Sequence, residues 1–185
     1  MTNAIFFDRD GVLTKLIDRG TEQTSAWIPE EFELYPRIHD ALALTRPYYK
    51  HFVVTNQPGI RDGVLAVEVL EQFHAHLYRE FGFDEIVYCS DRQSPDYKPN
   101  AGSVLKLIDK YHIDPRQSFM IGDRWKDIVC GHRAGLTTIF VGAKYDDGGS
   151  NIYPSFSATD VYDACQLIMS PGLQRLGYTT RLREE

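Results

Sequence analysis

Short apolar runs recur along this 185-residue chain, and a segment of helical character separates each from the next. The runs are 4–7, 51–55, 85–89, 118–121 and 137–141. Continuous apolar stretches of this length suit strands buried on both faces, as in a parallel sheet. Between them, 37–46 is bracketed by Pro36 and Pro47, as the ends of a helix often are. Over 64–81, Val67, Leu70, Phe73, Leu77 and Phe81 repeat at helical spacing before Gly82 closes the element. Val104, Leu107 and Ile108 share one face of 103–111, and 127–134 is a shorter helix. A βαβαβαβαβ alternation predicts a doubly wound, mostly parallel sheet in a Rossmann-like three-layer α/β/α sandwich.

Two stretches fit neither element. Residues 14–35 read as a long loop or flap after the first strand, and 142–159, with Asp146-Asp147-Gly148-Gly149, as a mobile solvated loop. A last helix is expected over 160–169, ended by Pro171 and Gly172, with a disordered polar tail at 178–185. No segment is long enough for a separate cap domain, so 1–185 is expected to be one domain with its motifs in 4–141. The net charge of −6 and the thin spread of Arg175, Arg181 and Arg183 argue against nucleic-acid binding. No apolar stretch reaches the ~18 residues of a membrane span, and the N-terminus lacks a signal-peptide pattern. Cys89, Cys130 and Cys165 form no CxxC pair, which suits reduced thiols in a cytoplasmic protein.

The chemistry lies in four segments, each just beyond a predicted strand: Asp8-Arg9-Asp10-Gly11, Thr55-Asn56-Gln57, Lys98-Pro99 and Gly122-Asp123 through Asp127. Parallel strands end along one sheet edge, so the four can converge. Asp8 can be a nucleophile that takes a phosphoryl group. Asp10 can be the acid and base that protonates a leaving oxygen and activates water. The Thr55 hydroxyl and Asn56 amide suit phosphate oxygens, and Lys98 supplies positive charge to the transferred group. Asp8 and Asp123 can hold a hard cation such as Mg²⁺. Asp127 either joins them or orients Lys98, and orientation is the favoured reading. Arg61 can reach a second anionic group. By strand alternation Arg9 points away from Asp8 and Asp10. His74 and His76, two apart on a helix, are read as solvated or half-packed and not as ligands.

The four motifs in this order, over 4–141, resemble the haloacid dehalogenase superfamily of phosphohydrolases. Asp8-Arg9-Asp10-Gly11-Val12 with Thr55-Asn56-Gln57-Pro58-Gly59-Ile60 is similar to its capless group, which includes heptose bisphosphate and histidinol phosphatases; polynucleotide 3'-phosphatases share the capless core. The resemblance implies a Mg²⁺-dependent phosphatase working through an aspartyl phosphate, with the ion on Asp8, Asp123 and the Asp10 carbonyl. It implies a small phosphorylated metabolite as substrate, first a sugar such as a heptose bisphosphate. A monomer is expected. Typical members of the narrower group carry a zinc loop of three cysteines and a histidine before the lysine. Here 89–97 holds Cys89 alone, so no zinc is expected. Tyr97 stands where the heptose enzymes often have an arginine. The rival readings are a histidinol-phosphate phosphatase, a polynucleotide 3'-phosphatase, or a non-catalytic binder of phosphorylated ligands.

Overall fold

The computed structural model describes residues 1–176; the expectation for the tail 178–185 falls outside them. Six strands form one sheet in the order β5-β4-β1-β6-β7-β8. These are β1 (Ala4–Phe7), β4 (Lys50–Asn56), β5 (Glu85–Cys89), β6 (Phe119–Gly122), β7 (Thr137–Val141) and β8 (Phe156–Ala158), and every neighbouring pair is parallel. Helices α1 (Ile38–Thr45), α2 (Val67–Phe81), α3 (Gly102–Tyr111), α4 (Trp125–Arg133) and α5 (Val161–Ile168) connect or follow them.

β1 lies at the centre because all four of its side chains are apolar and can be buried on both sides; each has 0% exposure. Ile5 and Phe7 join Val53, Ile121 and Ile139 on one face, under Leu42 of α1 and the residues of α5. Ala4 and Phe6 join Phe52 and Met120 on the other, under Val104 and Leu107 of α3 and Cys130 of α4. Burying each large side chain of this kind contributes about 1.5–3 kcal/mol. After β1 the chain builds outward through β4 and β5, then returns across β1 to lay down β6, β7 and β8. The reversal opens a crevice at the carboxyl end of β1, where open α/β sheets bind ligands.

Three segments differ from their sequence reading. The flap 14–35 holds a two-stranded antiparallel hairpin, β2 (Ile17–Asp18) and β3 (Gln23–Thr24). It is braced by a two-pronged Arg19–Glu31 ion pair at 2.7 Å and 2.7 Å, with the Arg19 guanidinium 3.9 Å from the Trp27 ring. The Arg19 hydrogen bonds hold the Glu31 carboxyl well below its usual range, at about 2. The stretch 142–159 contains the sixth strand, β8, paired with β7. The expected last helix is present as α5 and stops before Pro171, but Pro171 and Gly172 also begin a further short helix, α6 (Pro171–Arg175), because proline suits a first helical turn. Among the described residues, no helix is long and apolar enough to cross a membrane.

Candidate active site

Four strand ends deliver the site. β1 stops at Phe7, and Gly11 turns the chain at φ +91°, a conformation that favours glycine. A Cβ at Gly11 would stand 2.2 Å from an Asp123 oxygen, so the bare backbone is what admits that carboxylate. Gly122, at the end of β6, plays the same part for Asp127, whose Cβ would lie 2.1 Å from an added Cβ.

Lys98 is the hub. Its ammonium, 2% exposed, contacts Asp127 Oδ1 at 2.6 Å and Asp8 Oδ1 at 2.9 Å, and donates to the Val54 carbonyl at 2.7 Å. Burial works to lower the Lys98 pKa, but Asp127 and Asp8 outweigh it and hold the group charged. Asp127 also accepts the Arg124 N–H at 3.1 Å, so each of its oxygens has a partner. The Asn56 amide is spent on the Lys98 backbone, accepting from its N–H at 3.0 Å and donating to its carbonyl at 2.9 Å. Asn56 thus fixes where the lysine leaves the chain.

Asp8 keeps its recorded bonds on Oδ1, which also accepts the Arg9 N–H at 2.7 Å. Burial raises its pKa to about 6, against the pull of Lys98 and with the help of Asp127 and Asp10. Asp123 rises to about 8, again chiefly through burial, then through Asp127 and Asp8. One lysine is too little positive charge for three acids whose ligand atoms lie within 4.8 Å of one another. Asp123 Oδ1 is buried with no hydrogen-bond partner among the described residues. An orphaned buried carboxylate oxygen beside two further carboxylates fits a hard divalent cation.

These segments open onto a cleft of about 170 Å³. Asp8, Asp10, Thr55, Lys98 and Asp127 line it, together with Trp27 and the β3 residues of the flap and with Arg92, Arg124 and Lys126.

A family model described as HAD-hydrolase-like matches residues 97–164. The heptose-1,7-bisphosphate 7-phosphatase of Chlorobaculum tepidum is 30% identical over 185 residues, covering 86% of this chain and 90% of that one. The enzyme of the same kind from Helicobacter pylori strain J99 is 34% identical over 143 residues, covering 71% and 78%. The chain belongs to the haloacid dehalogenase superfamily of phosphohydrolases. The fold agrees. A D,D-heptose 1,7-bisphosphate phosphatase from B. bronchiseptica, solved with magnesium and phosphate, superposes with a TM-score of 0.77 at 21% identity, covering 91% of this chain and 98% of that one.

Within this superfamily scaffold, four residues around Asp10 escape a reading by motif: Arg9, Thr14, Gln57 and His74. Arg9 does not point away from Asp10. Because β1 has already ended, its side chain folds back, wholly buried, and its Nε and Nη2 meet both Asp10 oxygens at 3.0–3.2 Å. Gln57, also buried, donates to Asp10 Oδ2 at 2.7 Å and to the Thr55 hydroxyl at 2.8 Å. Thr55 and Thr14 stand 3.5 and 3.0 Å from the Asp10 carboxylate. His74 is neither solvated nor half-packed: it is 8% exposed, and its Nε2 lies 3.3 Å from Arg9 Nη1. Burial, then the Arg9 charge, lowers its pKa to about 4, so it is neutral and accepts from Arg9. His76 is exposed and meets Arg79.

Arg61 is not brought to the cleft. It reaches Asp91 at 3.0 Å, while Arg92 crosses to Asp62 at 2.6 Å and lines the cleft in its place.

Proposed function

We propose that this superfamily member is a Mg²⁺-dependent phosphomonoesterase acting on a small phosphorylated sugar, with a heptose bisphosphate as first candidate, as the names of its relatives suggest. The observation that carries the reading is Asp8: one oxygen is pinned by Lys98 and a backbone N–H, and the other has no recorded partner at the floor of an open cleft. A carboxylate held in one orientation with a free oxygen is built for in-line attack.

In this reading Asp8 Oδ2 forms a bond to phosphorus as the bond from phosphorus to the leaving oxygen breaks. Asp10 passes a proton to the departing alkoxide. It then takes one from a water molecule, which attacks phosphorus and frees Asp8. Arg9, Gln57 and Thr14 hold the Asp10 carboxylate in place for both steps. Lys98 and the Thr55 hydroxyl counter the charge on the phosphoryl oxygens, and Asp127 with Asn56 keeps Lys98 positioned. Asp8, Asp123 and the Asp10 carbonyl would hold Mg²⁺, whose charge lets an anionic nucleophile approach an anionic phosphate. One domain performs the reaction, with the flap 14–35 and the loop 91–97 shaping access in the absence of a cap.

The test is hydrolysis of p-nitrophenyl phosphate, heptose 1,7-bisphosphate, histidinol phosphate and a 3'-phosphorylated oligonucleotide with Mg²⁺, by the parent protein and Asp8→Asn. The parent should turn over the sugar phosphate best, and Asp8→Asn should turn over none while keeping its circular dichroism spectrum. Activity in Asp8→Asn, or no turnover of any ester by the parent, refutes the reading.

A further inference from the structure

The buried network behind Asp10 reaches one residue beyond the cleft. Arg9 Nε and Nη2 meet both Asp10 oxygens at 3.0–3.2 Å, so the guanidinium sets the plane of that carboxylate. The remaining prong, Nη1, lies 3.3 Å from His74 Nε2, its one recorded hydrogen-bond partner among the described residues. The Phe73 ring, 5.7 Å from Cζ, adds packing but no hydrogen bond.

Arginine can only donate. His74 Nε2 is therefore the bare nitrogen of a neutral ring, with the ring proton on Nδ1. Burial and the Arg9 charge favour the same neutral form. His74 sits on the buried stripe of α2 with Leu70, Phe73 and Leu77. Packing alone would be served there by another leucine, and a buried polar ring costs free energy unless it is bonded. Its bond goes to the one buried cation that holds Asp10.

We propose that His74 is a positioning residue for the acid step, acting on Asp10 through Arg9. Without its acceptor, the buried Nη1 is left unpaired, and the guanidinium turns to find another partner. Asp10, bonded to the other two nitrogens, turns with it. The step at stake is the transfer of the Asp10 proton to the leaving oxygen, as the bond from phosphorus to that oxygen breaks and the bond from Asp8 to phosphorus forms. Misplacing a reacting group by about 1 Å can cost about 100-fold in rate.

The inference rests on the phosphatase reading, and p-nitrophenyl phosphate turnover by the parent tests that reading alone. The inference itself is tested by comparing kcat/KM for p-nitrophenyl phosphate and phenyl phosphate, two esters of nearly the same shape. Phenolate is the more basic leaving group and needs the proton more. kcat/KM covers events only through its departure, so the later attack of water does not enter. In His74→Leu and in His74→Met, phenyl phosphate should lose about 10-fold more than p-nitrophenyl phosphate, part of the roughly 10²–10⁴-fold that a positioned acid supplies. His74→Gln, which offers an amide oxygen to Nη1, should restore the parent ratio. In an Asp10→Asn background, His74→Leu should not change the ratio further, because the acid it positions is gone. Each ratio is taken on one preparation, so partial unfolding cancels. Equal losses for the two esters in both apolar variants would show a role in folding alone and overturn the assignment. So would an equally disturbed ratio in His74→Gln, or a further change in the Asp10→Asn background. A parent inert toward p-nitrophenyl phosphate removes the reading beneath it, and this inference with it.

Discussion

Replacing Arg9 by methionine should destabilise the protein severely, although Arg9 is absent from any expected catalytic set. The guanidinium is 0% exposed, gives Asp10 its only ionic partner among the described residues, and donates to His74 at 3.3 Å. Methionine fills similar volume but leaves Asp10, 8% exposed, as an ionised group with neutral donors only: Gln57 at 2.7 Å, Thr14 at 3.0 Å and Thr55 at 3.5 Å. Removing one partner of a buried ion pair costs about 3–5 kcal/mol. The surviving donors hold the loss toward the lower end, and the His74 ring nitrogen left without its donor adds about 1 kcal/mol. A total near 4 kcal/mol corresponds to a fall in Tm of about 8–16 °C for a chain of this size. The assay is urea unfolding followed by circular dichroism on the parent, Arg9→Met, Asp10→Asn and the double variant. The double variant carries no uncompensated charge, so it should be more stable than the sum of the two single losses predicts, by about 2 kcal/mol or more. A loss below about 1 kcal/mol for Arg9→Met, or simple additivity, would refute the claim that the pair holds its charge in a dry environment.

Two further outcomes follow from the same region. His74 takes up a proton near 6.5 in the unfolded chain but only near 4 when folded, so its stabilising contribution is complete above pH 6.5 and is lost as pH falls toward 4. The loss is about 3 kcal/mol, to be read as the pH dependence of urea unfolding, and it should be missing from His74→Gln; an unchanged slope in that variant sinks the assignment. Gly11→Ala places a Cβ 2.2 Å from Asp123 Oδ2 at a φ of +91°. It should therefore cost about 1–3 kcal/mol of stability and weaken Mg²⁺ binding measured by isothermal titration calorimetry, and parent-like Mg²⁺ affinity would contradict the placement of Asp123.

What could be read from the sequence divides along a physical line. The five strands expected from apolar runs are all present, because a central parallel strand such as β1 must be apolar on both faces, and that is a continuous signal. β8 gives no such signal because an edge strand of three residues, with Phe156 and Ala158 half-buried and Ser157 exposed, has too little periodicity to register. Chemistry was legible in the motif residues: Asp8 and Asp123 directly follow β1 and β6, and Lys98, in the loop after β5, and Asp127, in α4, meet them. Arg9 departs from strand alternation because alternation holds only while the strand lasts, and β1 ends two residues earlier.

His74 is a different kind of omission, since its signal was available. It lies four residues after Leu70 and three before Leu77, on the stripe that α2 buries. A histidine there is a buried polar group that needs a partner, and the fully buried Arg9 is what supplies it. Arg61 and Arg92 show the opposite limit. Both occupy loops, where no periodicity assigns a side, and only the crossed pairing of Arg61 with Asp91 and of Arg92 with Asp62 decides which arginine lines the cleft. Each of those pairs is exposed and screened by solvent, so it contributes little. Weak contacts between loops thus settle which cations line the cleft, while the network around Asp10 and Lys98 is buried. The cations that line the cleft can therefore change with the loops while the acidic residues at its floor stay the same, as the exchange of Arg61 for Arg92 shows.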